Sequence, residues 1–423
     1  MMKRKFCFYL YMSIVMTFFA CNSANEVSDP EAPANTSAVL PIMYVNTENG
    51  APVLSKDEYV VGTLSVVGGM QDSSSSSSSS IQDQPMKIKG RGNSTWQYPK
   101  KPYKIKFDSK IPMFGEAPDK EWVLLANYLD KSLLRNDIAF YMGGISNLEY
   151  TSCSHFVQLY LNGEYCGIYQ LSEQLKIAKS RVNVGDDGFL LEIDAKADPE
   201  DITFNVPHIE MPINIKEPDV EVGDASYSYV TEYLRKVDEV LFCENFMDTI
   251  NGYSRYLDVE SFIDWYLINE ITKNADAIFY TSCYMHLARN GKLKMGPLWD
   301  FDLGFGGYCL DEPAADICND PEGFWVANVP WYNRLFQDPN FVKRLKERFE
   351  YFYTNRENIY SHMYCRYDTL KHYMFDETCR WKRLCNAQYS ERFVNSRYLH
   401  ETLAIEIWLE QRFQWLKGRF SLL

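Results

Sequence analysis

Hydrophobic and polar positions alternate through much of residues 38–107. Short runs with a period of two, separated by the turns ENG and GG, predict β-strands in this region. The runs are VLPIMYV (39–45), EYVVGTLSVVG (58–68), PMKIKG (85–90) and PYKIKF (102–107). A further pair of alternating runs, FVQLYLNGEYCGIYQL, flanks Asn162-Gly163. This pattern predicts a hairpin, because Asn-Gly readily adopts the positive φ angles that a two-residue turn needs.

A helical period replaces the alternation later in the chain. Residues 131–143 (KSLLRNDIAFYMG) have helical spacing, and helical patterns dominate from about residue 225 onward. Two apolar stripes are especially clear, Phe341, Leu345, Phe349 and Phe352, and Ile405, Trp408, Leu409, Phe413 and Leu416. The chain therefore predicts an α+β fold, with a β-rich first lobe at residues 38–174 and a mostly helical second lobe at residues 175–423.

The composition supports a folded chain of two lobes. A chain of 423 residues can bury a substantial core, and aromatic residues make up 15% of it. The formal net charge is −14. Because nucleic acid is itself a polyanion, it is not expected as a partner.

The N-terminal segment is typical of a targeting signal rather than of a folded domain. MMKRK and the apolar run FCFYLYMSIVMTFFA predict a signal peptide at residues 1–20. Cys21 follows Phe19-Ala20 as in a bacterial lipobox, so we expect a lipidated Cys21 and a flexible tether at residues 21–37. Ordinary signal cleavage nearby is the alternative. The segment predicts an extracytoplasmic bacterial lipoprotein, held by its lipid at the outer membrane or cell surface.

The eleven cysteines leave their pairing open. Loss of Cys7 with the signal peptide and lipidation of Cys21 leave nine, so at least one thiol is free. Both disulfides and buried free thiols fit the remaining cysteines, which include the pair Cys309 and Cys318 and the group Cys365, Cys379 and Cys385. No C-x-x-C pair and no histidine pair at ligand spacing occurs, so the spacing argues against a zinc site.

Cations concentrate in GRGNSTWQYPKKPYKIKF, residues 90–107. In a strand that buries Tyr103, Ile105 and Phe107, Lys104 and Lys106 point together to the opposite face. A solvated strand face would explain two lysines. An anion site explains them better if carboxylates and a cleft follow later in the chain.

Carboxylates meet near the end of a second predicted hairpin. The helix SFIDWYLINEIT ends in KNAD, and two strands around Asn290-Gly291 lead into WDFD. Asp276 then lies at one end of the hairpin, and Asp300 and Asp302 lie at the other. Carboxylates brought together repel one another unless a cation lies between them, and magnesium is commonly bound by one or two carboxylates together with substrate phosphates. A lone D-x-D is more often a turn, but kinases use this order of glycine loop, strand lysine and two acidic loops.

Four stretches resemble the spore coat protein H (CotH) kinase family: GRGNSTW…PKKPYKIKF, LLANYLDKSLLRN, LNGEYCGIYQLSEQ and NAD…MGPLWDFDLGFG. They occur in the family's order from about residue 40 to the C-terminus. The resemblance implies an atypical protein-kinase-like two-lobed fold. It also implies ATP with Mg²⁺ or Mn²⁺ as cofactors, and transfer of phosphate to protein serine or threonine hydroxyls.

The resemblance also implies roles for individual residues. Lys106 resembles the strand lysine that pairs with ATP phosphates, with Lys104 as the alternative, and Arg91 would meet phosphate oxygens. Glu173 would be a hinge acid near the adenine or a salt-bridge partner.

For the acidic loops, Asp276 resembles the aspartate that accepts the hydroxyl proton. Asp300 resembles the metal-binding aspartate, and Asp302 would be a second ligand or would hold the loop. Thr281 stands where ordinary kinases have a second metal-binding asparagine.

Other functions stay open at this point. A non-catalytic kinase-like surface lipoprotein, acting as a binding or scaffold protein, is the main alternative, because little ATP is found outside the cytoplasm. A glycoside hydrolase using Asp300 beside Trp299 would leave the cationic strand without a role. The serine run at residues 73–80 predicts a flexible loop, which would be a plain linker or a phosphate acceptor.

Overall fold

A closed seven-stranded barrel forms the first part of the described chain. The structure is a computed structural model that describes residues 39–69, 81–310, 315–384 and 390–423. Neighbouring strands pair in the order β1-β2-β3-β4-β5-β7-β6, and a parallel pairing of β1 with β6 closes the barrel. The strands are β1 (Ile42–Thr47), β2 (Val60–Val67), β3 (Ile81–Gly90), β4 (Tyr103–Ile111), β5 (Asp119–Leu125), β6 (His155–Leu161) and β7 (Glu164–Glu173).

Some of the sequence predictions fall outside the described residues. These are the signal peptide at residues 1–20, the tether that begins at Cys21, and the serine loop at residues 73–80. The same holds for Cys385. The eight cysteines within the described ranges, Cys309 and Cys318 included, are all free thiols.

The barrel strands follow the predicted alternation. In β4, Tyr103, Ile105 and Phe107 are buried in the barrel core, whereas Lys104 and Lys106 are on the outer face. The hairpin of β6 and β7 turns at Asn162 and Gly163, which have φ angles of 52° and 81°. Local turn chemistry and side-chain period are therefore sufficient to predict these elements.

A second, five-stranded sheet follows the barrel, in the order β12-β11-β8-β10-β9. The sequence predicts the hairpin of β11 and β12 but not the three strands before it. The central strand of the sheet is β8 (FLLEI), which is buried along its whole length and therefore does not alternate. The strands are β8 (Phe189–Ile193), β9 (Thr203–Val206), β10 (Ile209–Glu217), β11 (Cys283–Leu287) and β12 (Leu293–Met295).

Helices make up most of the remaining chain, and α3 lies at their centre, with every residue except Glu260 buried. The predicted helix at residues 131–143 begins only at Arg135, because the Asp130 carboxylate accepts from the backbone N–H groups of Ser132 and Arg135 and holds a turn before it. The helices are α1 (Arg135–Gly144), α2 (Ala225–Phe242), α3 (Val259–Thr272), α4 (Ala315–Asn319), α5 (Pro330–Leu335), α6 (Pro339–Thr354), α7 (Arg356–Leu370), α8 (Met374–Trp381) and α9 (Glu391–Phe420).

Buried ion pairs connect the helices to the barrel. Lys100, just before β4, places its Nζ atom 2.7 Å from Glu377 Oε1 of α8, and both side chains are completely buried. Arg383 Nη1 lies 3.2 Å from the same carboxylate oxygen.

The α+β class is thus confirmed, with a β-rich N-terminal part and a helical C-terminal part. Within the described ranges, no helix is long and apolar enough to span a membrane.

Candidate functional site

A polar cleft of about 290 Å³ lies between the barrel and the second sheet. The glycine loop at residues 91–95 lines one side, and the loop at residues 299–302 that follows β12 lines another. The second sheet adds charged side chains from β8 and β10. The cleft therefore brings together segments that lie far apart in the sequence. They include the glycine loop of the first family-like stretch and the acidic loop of the last one.

Asp300 and Asp302 lie together in this cleft, as the sequence predicts. Asp300 has a φ angle of 62°, in the left-handed region that aspartate tolerates better than most residues. Between the two, the Phe301 N–H donates to Asn136 Oδ1 of α1 at 2.7 Å, and the Phe301 ring is buried. The backbone between the two acids is therefore held in place by α1 and by the core.

The two carboxyl groups affect each other's ionisation. Burial raises the pKa of Asp300, and Arg91 and Lys196 oppose this increase. Burial also raises the pKa of Asp302 well above its usual range, and the charges of Asp300, Asp276 and Asp130 raise it further. Asp300 and Asp302 are two residues apart and both line the cleft. Two negative charges on this pair are therefore unfavourable when no cation is present.

Three cations face the acids across the cleft, Arg91, Lys196 and Lys216. The Arg91 guanidinium lies 5.3 Å from the centre of the Trp299 ring. Burial lowers the pKa of Arg91, and Asp300 acts in the opposite direction. Because arginine stays charged in proteins, Arg91 is a positive group ready to meet an anion.

Two acids complete the polar lining, Glu192 in β8 and Asp194 directly after it. Burial raises the pKa of Glu192 to about 7, although Lys216, 3.4 Å away, favours its charged form. Asp194 Oδ1 accepts a hydrogen bond from Thr281 Oγ1 at 2.6 Å. Sequence reasoning missed both acids. The signal was present, since two carboxylates two residues apart in a strongly apolar strand point to the same face.

The helix α1 holds the acidic loop with polar contacts that the sequence does not reveal. Arg135 Nε donates to Gly304 O at 3.0 Å. Asn136 Nδ2 donates to Asn127 Oδ1, and Asn127 Nδ2 donates to Gln170 Oε1 of β7. This chain of amides connects the barrel wall to the loop that carries Asp300 and Asp302.

Asp276 is not among the residues that line the cleft, and it lies in the short 3-10 helix Ala275–Ala277 after α3. Its charge contributes to the raised pKa of Asp302, so these two carboxyl groups are neighbours. Asn274 precedes it, and Nδ2 of Asn274 donates to Asn269 Oδ1 at 3.2 Å. The Oδ1 atom of Asn274 is buried and has no hydrogen-bond partner among the described residues.

The other predicted site residues lie outside the cleft lining. Lys104 Nζ is 3.0 Å from Glu121 Oε1, and Lys106 Nζ is 3.8 Å from the same oxygen. Glu173 forms an ion pair with Arg181 and accepts a hydrogen bond from Tyr150 Oη at 2.7 Å. The roles of Lys104, Lys106 and Glu173 in nucleotide binding therefore stay predictions.

The acidic side of the cleft fits a divalent cation with oxygen ligands. The carboxyl groups of Asp300 and Asp302 are held close together at a cost that a cation would remove, and magnesium binds through one or two carboxylates. The unsatisfied Oδ1 of Asn274, two residues from Asp276, is a further oxygen in this region. Asp300 and Asp302 are the residues that would hold the ion.

A family model matches most of the chain. The family described as CotH kinase protein matches residues 88–416, more than half of the chain. The chain therefore belongs to the CotH kinase family. A search of curated proteins finds no match.

Proposed function

We propose that the protein is an ATP- and metal-dependent phosphotransferase that acts on serine or threonine hydroxyls of proteins. The observation that carries the proposal is the acidic pair of half-buried Asp300 and buried Asp302, in a cleft where Arg91 faces Asp300. Such a site has one side suited to a cation and another suited to an anion. A metal-bound nucleotide has both features, and membership of the kinase family supports this choice.

Each side of the cleft would have a separate task. Asp300 and Asp302 would hold Mg²⁺ or Mn²⁺, which supplies charge neutralisation for the phosphate oxygens when it is bound. Arg91 would donate hydrogen bonds to phosphate oxygens, since its guanidinium is planar and always charged. Lys196 and Lys216 would add positive charge on the same side.

Asp276 is the group that we assign to proton transfer. Its carboxylate would accept the proton of the serine or threonine hydroxyl, as the aspartate of a kinase catalytic loop does. Its nearness to Asp302 supports this role, because the accepting carboxylate must lie close to the metal-binding side of the cleft.

The proposal extends to the architecture and the location. The barrel would serve as the first lobe of a kinase-like fold, and the second sheet with the helices would serve as the second lobe. The N-terminal segment favours a bacterial lipoprotein anchored through Cys21 outside the cytoplasm, at the outer membrane or cell surface. A negatively charged chain in that position would meet nucleotides and proteins rather than nucleic acid.

Calorimetric titration with ATP tests the proposal. The chain from residue 37 onward should bind ATP only when Mg²⁺ or Mn²⁺ is present, and Asp300→Ala should abolish that metal-dependent binding. Asp368→Ala removes an exposed carboxylate of α7 and serves as the matched control, with binding unchanged. Absence of binding to several nucleotides, in a sample that is folded by circular dichroism, would overturn the proposal.

One observation favours a second candidate, a non-catalytic kinase-like surface protein that binds or scaffolds other molecules. Both strand lysines of the family-like motif pair with Glu121 outside the cleft lining. A kinase-like fold that no longer bound nucleotide would have no need of a lysine in the cleft. Failure of the ATP titration would make this the preferred function.

A further inference from the structure

Three side chains of metal-binding type converge outside the cleft, at one end of the barrel. They are the carboxylate of Glu116, the thiol of Cys153 and the imidazole of His155, and their ligand atoms all lie within 4.8 Å of one another. Glu116 belongs to the segment between β4 and β5, whereas Cys153 lies just before β6 and His155 is the first residue of β6. The sequence spacing alone argues against such a site, because the third member comes from a distant segment.

The backbone holds two of these side chains on one side of the chain. Cys153 and His155 are two residues apart, and their ligand atoms lie within 4.8 Å of each other. The Cys153 N–H donates to Glu173 Oε2 at 3.1 Å, and its carbonyl accepts from Ser172 Oγ at 2.7 Å. Both contacts come from β7 and keep the thiol facing Glu116.

The side chains of Glu116 and His155 are also held in place by contacts. His155 stacks on Phe114 with the ring centres 5.3 Å apart, and its Nε2 lies 2.8 Å from Glu116 Oε1. A tetrahedral ion bonded to nitrogen and oxygen at about 2.0–2.2 Å needs its ligand atoms only slightly further apart than this. Small side-chain rotations would therefore convert the hydrogen-bonded pair into two ligands.

We propose that Glu116, Cys153 and His155 form a zinc site, with water as the fourth ligand. Thiolate, imidazole and carboxylate are the three ligand types that zinc accepts in tetrahedral coordination. Hard cations such as Mg²⁺ and Ca²⁺ prefer oxygen alone, which separates this site from the pair Asp300 and Asp302. All three side chains are partly exposed, so an ion has a path from solvent.

Binding requires that the thiol lose its proton to solvent, since zinc coordinates the thiolate. Burial and the nearby Glu116 raise the pKa of Cys153 well above its usual range, so the thiol is protonated when no cation is present. A bound zinc ion reverses this balance because its charge lies next to sulfur. The ion would link the segment before β5 to β6 and stabilise that end of the barrel. This proposal goes beyond the phosphotransferase function and does not depend on it.

Cobalt substitution tests the site directly. Co²⁺ added to the metal-free full-length protein should produce a near-ultraviolet thiolate-to-cobalt absorption band, and one equivalent of Zn²⁺ should remove it. Cys153→Ser should eliminate the band, while Cys365→Ser, at an exposed free cysteine, should leave it unchanged. His155→Ala and Glu116→Gln should each weaken Co²⁺ binding by at least about tenfold, because even outer-shell changes cost about 10–100-fold.

Thiol protection gives a second measurement on the unaltered protein. Zinc should slow the alkylation of Cys153, measured by mass spectrometry of the peptide, without slowing that of Cys365. A missing cobalt band in folded protein, a band that survives Cys153→Ser, or equal alkylation with and without zinc would each overturn the proposal.

Discussion

Asp300 and Asp302 line the same cleft, and the charge of Asp300 raises the pKa of Asp302. This arrangement is unfavourable for a protein that only has to fold, since two carboxylates held in one site repel each other. It becomes favourable when a cation lies between them. The same two residues would therefore lower the stability of the metal-free protein and bind the metal ion.

Replacing one acid of the pair should stabilise the metal-free protein while removing metal binding. Asp300→Asn eliminates the repulsion, so we expect unfolding in EDTA to require about 1 kcal/mol more free energy than in the wild type. Wild-type protein should gain stability when Mg²⁺ and ATP are added, and Asp300→Asn should not. Thermal unfolding with and without the ligands measures both effects. A variant that is less stable in EDTA, or that still responds to Mg²⁺, would contradict the expectation.

The geometry of the cleft also predicts which cation binds phosphate. Arg91→Ala should weaken ATP binding by on the order of tenfold to a hundredfold, since a hydrogen bond to a charged group contributes about 1.5–3 kcal/mol. Lys106→Ala should change it by less than about twofold, because its side chain is about half exposed and lies near Glu121. The family resemblance implies the opposite order for Lys106. Calorimetry on the two variants decides between the two assignments.

Glu192 should make stability fall as the pH rises. Burial raises its pKa to about 7 from the ordinary value of 4.5, so the folded chain holds a proton that the unfolded chain has already lost. The stabilising contribution is complete below pH 4.5 and disappears as the pH rises through 7. Glu192→Gln, which cannot ionise, should therefore gain about 2–3 kcal/mol relative to the wild type between pH 4.5 and pH 8. Urea unfolding at several pH values measures this difference.

Glu210→Gln serves as the control for Glu192, because it changes an exposed glutamate of β10. Its stability relative to the wild type should not depend on pH. If both variants behave alike, the ionisation of Glu192 does not control the pH dependence.

The ion pair of Lys100 and Glu377 should be essential for joining the helices to the barrel. Glu377→Ala leaves Lys100 and Arg383 buried without their carboxylate, which typically costs about 3–5 kcal/mol. Burial already lowers the pKa of Lys100 to about 8. The neighbouring Asp376→Ala, at an exposed position of the same helix, should change the free energy of unfolding by less than about 0.5 kcal/mol. Similar losses in both variants would exclude this role.

Elements that depend on local interactions could be predicted from the sequence. The Asn162-Gly163 hairpin follows from turn chemistry, and the two faces of β4 follow from a period of two. The helices α6 and α9 follow from the spacing of their buried apolar residues. The adjacency of Asp300 and Asp302 follows from their separation by a single residue.

Elements that depend on distant contacts could not be predicted from the sequence. β8 has no alternation because both of its faces are buried, so Glu192 within it and Asp194 directly after it were missed. The parallel pairing that closes the barrel joins β1 to β6 across four intervening strands. No local pattern encodes such a contact.

The sequence by itself therefore determined the α+β class, the chief hairpins and helices, and the acidic loop that carries Asp300 and Asp302. Only the tertiary structure decided that Arg91, rather than Lys104 or Lys106, faces Asp300 in the cleft, and that Glu116 joins Cys153 and His155. The physical reason is that hydrogen bonds and side-chain period act between near neighbours in the chain. The composition of a site depends on which distant segments the buried core brings together.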